Sequence, residues 1–309
     1  MSRTILVATE KPFAPAAVEA IKAAIDKADG YELELLEKYT DKAQLLEAVK
    51  EADAMIIRSD KATKEVIDSS DKLKVIVRAG AGYDNIDLTA ATEKGVIAMN
   101  TPGQNSNAVA ELAFGMMVNV ARGKFNGKAG TELRNKKIGI HAYGNVGKYV
   151  AQIAKGFGME VFAFDPFVDN DAIKADGITP LNSVEELYST CQYVSLHIPA
   201  NDKTKNSIHK GLIKSMPKGA VLVNTARKEV VCEEGLKIAL AEREDFKYLS
   251  DIAPVCADEL VEKFGDQVLF TPKKMGAQTA EANINAGVAG VDQIIAYFEN
   301  GDTTFQVNK

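Results

Sequence analysis

A chain of 309 residues is too long for one ordinary hydrophobic core, so its length predicts two domains. Apolar residues make up 46% of the chain and charged residues 26%, a balance typical of a globular protein in water. The net charge of −6 gives no reason to expect nucleic acid, and no apolar run is long enough to cross a bilayer. We therefore expect neither nucleic acid nor a membrane among its partners.

The cysteines and histidines are few and scattered. Cys191, Cys232 and Cys256 form no CxxC motif and no disulfide framework, which favours a reducing, cytoplasmic compartment. The chain has only three histidines and no spacing of His, Cys or carboxylate residues that is typical of metal ligands. We therefore expect no metal site.

The first third of the chain alternates between strand and helix patterns. Short apolar strands are predicted at 4–8, 31–36, 54–57 and 75–77, and helices at 15–27, 42–51 and 63–68. This alternation is typical of a small parallel sheet with helices on its faces. Residues 1–97 are taken as one domain, and the helix predicted at 282–300 is expected to return to it, so that the domain includes 284–309.

A long apolar helix is predicted at 105–122, directly after the turn at 100–103. Its apolar residues cover much of its girth, at helical spacing. Two interpretations stay open at this point. The helix is either an interdomain core helix or a surface that pairs with a second subunit.

Residues 136–147 read as a buried strand, a glycine turn and the start of a helix, in the pattern A-x-G-x-x-G. Such a corner lets the backbone approach a pyrophosphate, which the exposed N–H groups of the helix then bind. Asp165 ends the next strand, near the spacing at which an acid binds the adenosine ribose. A carboxylate there would repel a 2′-phosphate, so NAD is favoured over NADP. The residues expected around the pyrophosphate are Gly144, Asn145, Val146 and Gly147.

Residues 98–283 are predicted to form the larger domain, with six strands separated by helices. That pattern is typical of a doubly wound parallel sheet, whose ligands bind at the carboxyl ends of its strands. The polar residues at predicted strand ends are Asp165, His197, Thr225, Arg227, Asp251, Lys273 and Lys274.

Several of these segments, in this order, resemble the D-2-hydroxyacid dehydrogenases. They are RAGAGYDNID at 78–87, NTPG at 100–103, AE at 110–111 and NTAR at 224–227. The resemblance implies an α/β fold in which a Rossmann NAD domain is inserted in a smaller, flavodoxin-like substrate domain. Within the family, 78–87 and GTEL at 130–133 are most similar to the D-3-phosphoglycerate dehydrogenases, and the short length and the lysine discussed below resemble their short, lysine-type branch. Family habit also implies a homodimer.

The resemblance assigns site residues in each domain. For the substrate it implies a carboxylate loop, in which Ala79 and Gly80 supply backbone N–H groups. A phosphorylated substrate needs further cations, and the candidates at strand ends are Arg58, with Ser59, and Arg78. Those implied for the cofactor, besides the turn and Asp165, are Ala81, Asn105, His197, Ile198, Pro199, Thr225, Ala226, Asp251 and Gly276. Arg227 follows a strand end and is permanently charged, so it is suited to holding the carboxylate and the oxygen on C2.

The chain departs from the family at its acid/base residues. The family places a histidine near the last strand, where this sequence has Lys273 and Lys274, and a glutamate where this sequence has Cys256. A lysine must lose its proton to act as a base, and a missing carboxylate, a nearby arginine and burial all favour the uncharged amine. We therefore expect Lys274, or else Lys273, to be the acid/base, with a buried amine.

The leading hypothesis is NAD-dependent oxidation of D-3-phosphoglycerate to 3-phosphohydroxypyruvate, a step of serine biosynthesis. A phosphorylated hydroxy acid is then the expected small-molecule partner. Two alternatives stay open. One is a dehydrogenase of another D-2-hydroxy acid, such as glycerate or lactate. The other is a non-catalytic NAD(H)-binding sensor or partner-binding protein on the same fold.

Overall fold

A computed structural model describes residues 2–309, which divide into two compact units. The first unit contains the residues up to Asn105 together with Gln278–Lys309, and the second contains Ser106–Ala277. The chain therefore leaves the first unit once and returns to it once. The domain limits predicted from the sequence, at 97/98 and 283/284, stay a prediction.

All strands pair in parallel, in two separate sheets. Numbered along the chain, the strands are β1 (Arg3–Thr9), β2 (Tyr31–Glu37), β3 (Ala54–Ile57), β4 (Val75–Arg78), β5 (Ile97–Asn100), β6 (Lys137–His141), β7 (Glu160–Phe164), β8 (Thr179–Pro180), β9 (Tyr193–Leu196), β10 (Val221–Asn224), β11 (Lys247–Ser250) and β12 (Val268–Phe270).

Helices connect the strands and cover both sheets. They are α1 (Pro15–Ile25), α2 (Lys42–Val49), α3 (Lys64–Asp68), α4 (Leu88–Lys94), α5 (Ser106–Ala121), α6 (Asn145–Gly156), α7 (Asn170–Ala175), α8 (Val184–Thr190), α9 (Lys210–Ser215), α10 (Glu233–Glu242), α11 (Ala257–Phe264) and α12 (Ala280–Asn300). Short 3₁₀ helices occupy Gly123–Phe125 and Lys228–Val230.

The sheet of the first unit has the order β2-β1-β3-β4-β5. Its central strands are apolar and buried on both faces, as parallel strands covered by helices must be. Helix α12 packs against α1, β3 and β4 of this unit. Gly287 allows α12 to lie close to α1, because a Cβ at this position would be 2.6 Å from the side chain of Ile21.

The sheet of the second unit has the order β12-β11-β10-β9-β6-β7-β8. It has seven strands where the sequence predicted six, because the edge strand β8 has only two residues and shows no periodicity. Helix α5 packs against α6 and β10, and its apolar face is part of the core of this unit. No helix among residues 2–309 is long and apolar enough to span a membrane.

Candidate active site

The turn between β6 and α6 has the geometry of a dinucleotide-binding corner. Ala142 stands where the fingerprint has its first glycine, and its φ of 81° is a left-handed conformation that glycine adopts without strain. Helix α6 begins after Gly144, and Lys148 N–H donates to the Gly144 carbonyl at 3.0 Å. The N–H groups that precede it have no acceptor inside the helix, so they are left to face an anion.

Gly147 lets this turn lie directly against the helix. A Cβ at Gly147 would overlap the carbonyl oxygen of Ala142 and would be 3.0 Å from the Ile140 side chain. Only glycine therefore permits the close approach that a pyrophosphate site needs. The structure brings together at one helix end the residues predicted for the pyrophosphate: Gly144, Asn145, Val146 and Gly147.

Asp165 follows β7 and is fixed by two backbone N–H groups. Its Oδ2 accepts from Tyr143 at 2.8 Å and its Oδ1 accepts from Phe167 at 2.8 Å. Each oxygen keeps capacity for a further donor, such as a ribose hydroxyl. The adjacent Pro166 and Phe167 carry no charge that would neutralise a 2′-phosphate. The arrangement therefore fits NAD.

Three buried polar atoms lie at the carboxyl ends of neighbouring strands and have no partner among the described residues. They are His197 Nε2 after β9, Thr225 Oγ1 after β10 and Asp251 Oδ1 after β11. A buried polar atom without a partner costs about 1–3 kcal/mol. This row therefore fits a ligand that brings its own hydrogen-bonding groups, as the nicotinamide and ribose of NAD do.

Asp251 is the most constrained member of that row. The residue is fully buried, and its Oδ2 accepts from the N–H of Gly276 at 2.8 Å and of Met275 at 3.3 Å. Burial raises the pKa of Asp251, and the N–H donors together with the charges of Lys274 and Arg227 oppose that rise. Oδ1 is left for another donor.

Arg227 and Lys274 meet at one carbonyl oxygen. Arg227 Nη1 donates to the Ala226 carbonyl at 3.0 Å, and Lys274 Nζ lies 3.5 Å from the same oxygen. Lys273, by contrast, forms a hydrogen bond through its backbone: its carbonyl accepts from the Thr271 hydroxyl at 2.7 Å. Both lysines are exposed, so the expectation of a buried amine is wrong. Residues 272–275 lie at the surface of this unit, and only Gly276 after them is buried, against Asp251.

A carboxylate that the sequence did not single out lies beside Cys256. Glu233, in the first turn of α10, accepts from the N–H of Val255 at 2.7 Å and of Cys256 at 3.3 Å. Burial, with Glu233 adding to it, raises the pKa of the Cys256 thiol to about 11, so the thiol is not a nucleophile at neutral pH. Glu233 is distant in sequence from Cys256, and no local pattern indicates the contact.

In the first unit, Arg58 follows β3 and its side chain is partly buried. Its Nη1 donates to the carbonyls of Pro12 at 3.0 Å and Lys11 at 3.3 Å, and its Cζ lies 4.9 Å from the centre of the Phe13 ring. Burial lowers the pKa of Arg58, and the Asp60 charge opposes the change. Ser59 is exposed beside it.

The glycine turn after β4 holds the other residues predicted for the substrate. Arg78 Nε donates to the Arg58 carbonyl at 3.1 Å, and Gly80 has φ 143°, where a Cβ would overlap the Arg78 guanidinium. The Asn100 amide donates to the Ala81 carbonyl at 2.6 Å. The structure thus gathers Arg58, Arg78, Ala79, Gly80 and Ala81 at one edge of the first sheet, while Asn105 is the last residue before the second unit.

Residues 2–309 contain no group of three or more His, Cys, Asp or Glu side chains that could hold a metal ion.

Comparison with known proteins gives a family for the second unit. The family model described as "D-isomer specific 2-hydroxyacid dehydrogenase, NAD binding domain" matches residues 108–272. These residues contain the glycine turn, Asp165 and the row of unpartnered atoms described above. NAD, predicted from the sequence, is therefore confirmed as the cofactor.

Several proteins resemble the chain over most of its length. It is 37% identical to the D-3-phosphoglycerate dehydrogenase of Methanocaldococcus jannaschii over 270 residues, which are 82% of this chain and 51% of that protein. It is 34% identical to the hydroxypyruvate reductase of Thermotoga maritima over 281 residues, 85% of this chain and 90% of that protein. The chain thus spans about half the length of the M. jannaschii relative.

A solved structure agrees with the fold throughout. The NAD⁺-bound 3-phosphoglycerate dehydrogenase of Entamoeba histolytica is 46% identical, with a TM-score of 0.88, and the match covers 100% of this chain and 99% of that one. The predicted α/β fold with a Rossmann NAD domain is confirmed. From the family model and from these relatives, the chain belongs to the D-isomer specific 2-hydroxyacid dehydrogenase family.

Proposed function

We propose that the protein is an NAD-dependent dehydrogenase that oxidises D-3-phosphoglycerate to 3-phosphohydroxypyruvate. The observation that carries the proposal is the pair of basic side chains, Arg227 and Lys274, at the Ala226 carbonyl beside the half-satisfied Asp251. Oxidation of a 2-hydroxy acid needs a cation for the carboxylate and a base for the hydroxyl proton. The names of the M. jannaschii and E. histolytica relatives support the phosphorylated substrate.

The second unit would hold the cofactor at residues already described. NAD, when bound, accepts the hydride released from C2. The N–H groups at the start of α6 would bind its pyrophosphate, and Asp165 its adenosine ribose. Asp251 Oδ1 would accept from the carboxamide, which orients the nicotinamide ring. The remaining residues assigned to the cofactor by resemblance are Ala81, Asn105, His197, Ile198, Pro199, Thr225, Ala226 and Gly276.

Arg227 and a lysine would perform the substrate chemistry. The planar guanidinium of Arg227 is suited to binding the carboxylate and the C2 oxygen together, and its charge stabilises developing negative charge on that oxygen. Lys274 Nζ would accept the hydroxyl proton as C2 is oxidised. Lys273 is the alternative base.

Rates of NADH formation by matched variants test the base. We expect Lys274→Met to lower kcat by about 10²–10⁴-fold, because a positioned acid/base contributes that much. Lys273→Met, the matched control, is expected to stay within about threefold, as surface substitutions usually do. Loss in Lys273→Met alone would move the role to Lys273. If the wild type oxidises no 2-hydroxy acid, a non-catalytic NAD(H)-binding protein replaces the proposal.

The phosphate would be recognised by the first unit. Arg58 and Ser59 follow β3 and Arg78 ends the neighbouring β4, and Ala79 and Gly80 would supply backbone N–H groups for the carboxylate. We expect wild type to prefer 3-phosphoglycerate over glycerate and lactate, and Arg58→Ala to remove most of that preference. Equal kcat/KM values for phosphorylated and plain glycerate in wild type would remove the case for a phosphate site.

A second candidate substrate is an unphosphorylated 2-hydroxy acid. The observation that favours it is the T. maritima hydroxypyruvate reductase, of which the chain covers 90%. The same three-substrate comparison decides between the two.

The assembly and the compartment are also proposals. A homodimer is supported by exposed aromatic residues near α5 and α6, namely Phe125, Tyr149 and Phe157, and sedimentation velocity tests it. Three free cysteines support a cytoplasmic location.

A further inference from the structure

Asp60 joins the carboxyl ends of three neighbouring strands of the first sheet. It is 3% exposed and follows β3. Its Oδ1 accepts from the Glu10 N–H at 2.6 Å, after β1, and from the Tyr39 hydroxyl at 2.9 Å, after β2. Its Oδ2 lies 3.4 Å from the Arg58 N–H. Because the sheet order is β2-β1-β3, one carboxylate connects three adjacent strand ends.

The same network fixes Arg58 at both of its backbone groups. Its N–H faces Asp60, while its carbonyl accepts from the Asn85 amide at 3.1 Å and from Arg78 Nε at 3.1 Å. The Asn85 amide also donates to the Asp60 carbonyl at 2.6 Å. The backbone of Arg58 is therefore held from the turns after β3 and β4.

The Arg58 side chain depends on a loop that Asp60 also holds. Its guanidinium contacts the carbonyls of Lys11 and Pro12 and lies over Phe13, in the loop that starts at Glu10. Glu10 is bound to Asp60 through its N–H. Asp60 therefore fixes both the residue that carries the guanidinium and the loop against which the guanidinium is packed.

We propose that Asp60 is a positioning residue that holds the Arg58 guanidinium ready for the phosphate of the substrate. The inference rests on the proposed function, in which Arg58 binds that phosphate. Asp60 itself touches no substrate. Burial of Arg58 disfavours the positive charge of its guanidinium, and the nearby negative charge of Asp60 favours it. Loss of Asp60 should therefore weaken phosphate recognition only as long as Arg58 is present.

A double-mutant cycle tests this dependence. KM and kcat for 3-phosphoglycerate and for glycerate are measured in wild type, Asp60→Asn, Arg58→Met and the double variant, with NADH affinity as the check that the second unit is intact. We expect Asp60→Asn to raise KM for 3-phosphoglycerate about tenfold, as loss of one charged hydrogen bond would. We expect kcat and KM for glycerate to change less than about twofold. In the Arg58→Met background, Asp60→Asn should add less than about twofold.

Tyr39→Phe gives a second, milder variant in case Asp60→Asn does not fold. It removes one donor to Asp60 and leaves the carboxylate, so KM for 3-phosphoglycerate should rise about threefold, again only when Arg58 is present. Equal losses for both substrates, or an Asp60→Asn effect that persists in Arg58→Met, would overturn the inference. If wild type does not turn over 3-phosphoglycerate, the proposed function fails, and this inference fails with it. If wild type oxidises 3-phosphoglycerate but the effects of Asp60→Asn and Arg58→Met are independent of each other, this inference fails and the proposed function stands.

Discussion

Two buried aspartates, one in each unit, each follow a strand of a parallel sheet. They differ in how many of their carboxylate oxygens have hydrogen-bond donors within the protein. Asp60 follows a strand of the first sheet, and both of its oxygens face donors from the protein. Asp251 follows a strand of the second sheet, and only Oδ2 has donors, while Oδ1 has none among the described residues. The Asp60 carboxylate connects the ends of three neighbouring strands. The Asp251 carboxylate is left incomplete in the way that a ligand-binding group must be.

The largest expected effect comes from removing each carboxylate in turn. Asp60→Ala leaves two N–H groups and a hydroxyl without their acceptor, so the free energy of unfolding should fall by about 4 kcal/mol. Asp251→Ala leaves two N–H groups unpaired but also removes a half-satisfied buried charge, so its loss should stay below about 2 kcal/mol. Urea unfolding followed by circular dichroism measures both. Equal losses would mean that the two aspartates have the same structural role.

A change of pH should destabilise the second unit more than the first, since His141 and His197, whose pKa values are lowered by burial, both lie in the second. Burial lowers the pKa of His141 to about 4, with Asp165 opposing the shift. An unfolded histidine titrates near 6.5, so between these values the unfolded chain binds more protons and stability falls as the pH falls. His141 alone should account for a loss of about 3 kcal/mol by pH 4.

Hydrogen exchange resolved by peptide mass spectrometry shows where that loss occurs. Peptides of the second unit should lose protection before those of the first as the pH drops below about 6.5. In His141→Gln the difference should shrink. Loss of protection in the first unit before the second would contradict this account.

The smallest expected effect is that of Ala142→Gly in the glycine turn of the second unit. The left-handed φ of Ala142 costs about 1–2 kcal/mol of conformational strain. In the turn of the first unit the residue with positive φ is Gly80, which has no Cβ and avoids this strain. Ala142→Gly should raise the unfolding free energy by about 0.5 kcal/mol, since the added flexibility of the unfolded chain offsets part of the relief. Gly80→Ala should lower it by a larger amount, because a Cβ there would also overlap the Arg78 guanidinium. A melting temperature that is lower in Ala142→Gly would show that the alanine side chain contributes packing that outweighs the strain.

Local patterns predicted much of the fold and part of the site. The alternation of strands and helices, the glycine turn and Asp165 all depend on residues that are near one another in sequence. The Asp60 network does not, because Glu10 and Tyr39 reach it only through the strand order β2-β1-β3. Likewise, Asp251 is bound by Gly276, 25 positions later in the chain. Periodicity carries no information on which strands are adjacent, so such partners are not visible before the topology is known.

The sequence alone also does not predict which of Lys273 and Lys274 lies at the site. Two adjacent lysines have identical local chemistry, and only the path of 271–276 distinguishes the one near the Ala226 carbonyl.

The return of α12 to the first unit has a consequence for synthesis on the ribosome. The second unit is continuous in sequence, so all of its segments are available once residue 277 has emerged. The first unit must wait for its final 32 residues, 278 to 309, before α12 can cover α1, β3 and β4. During translation the face of the N-terminal sheet that α12 covers therefore stays without that helix for as long as the inserted unit is being made.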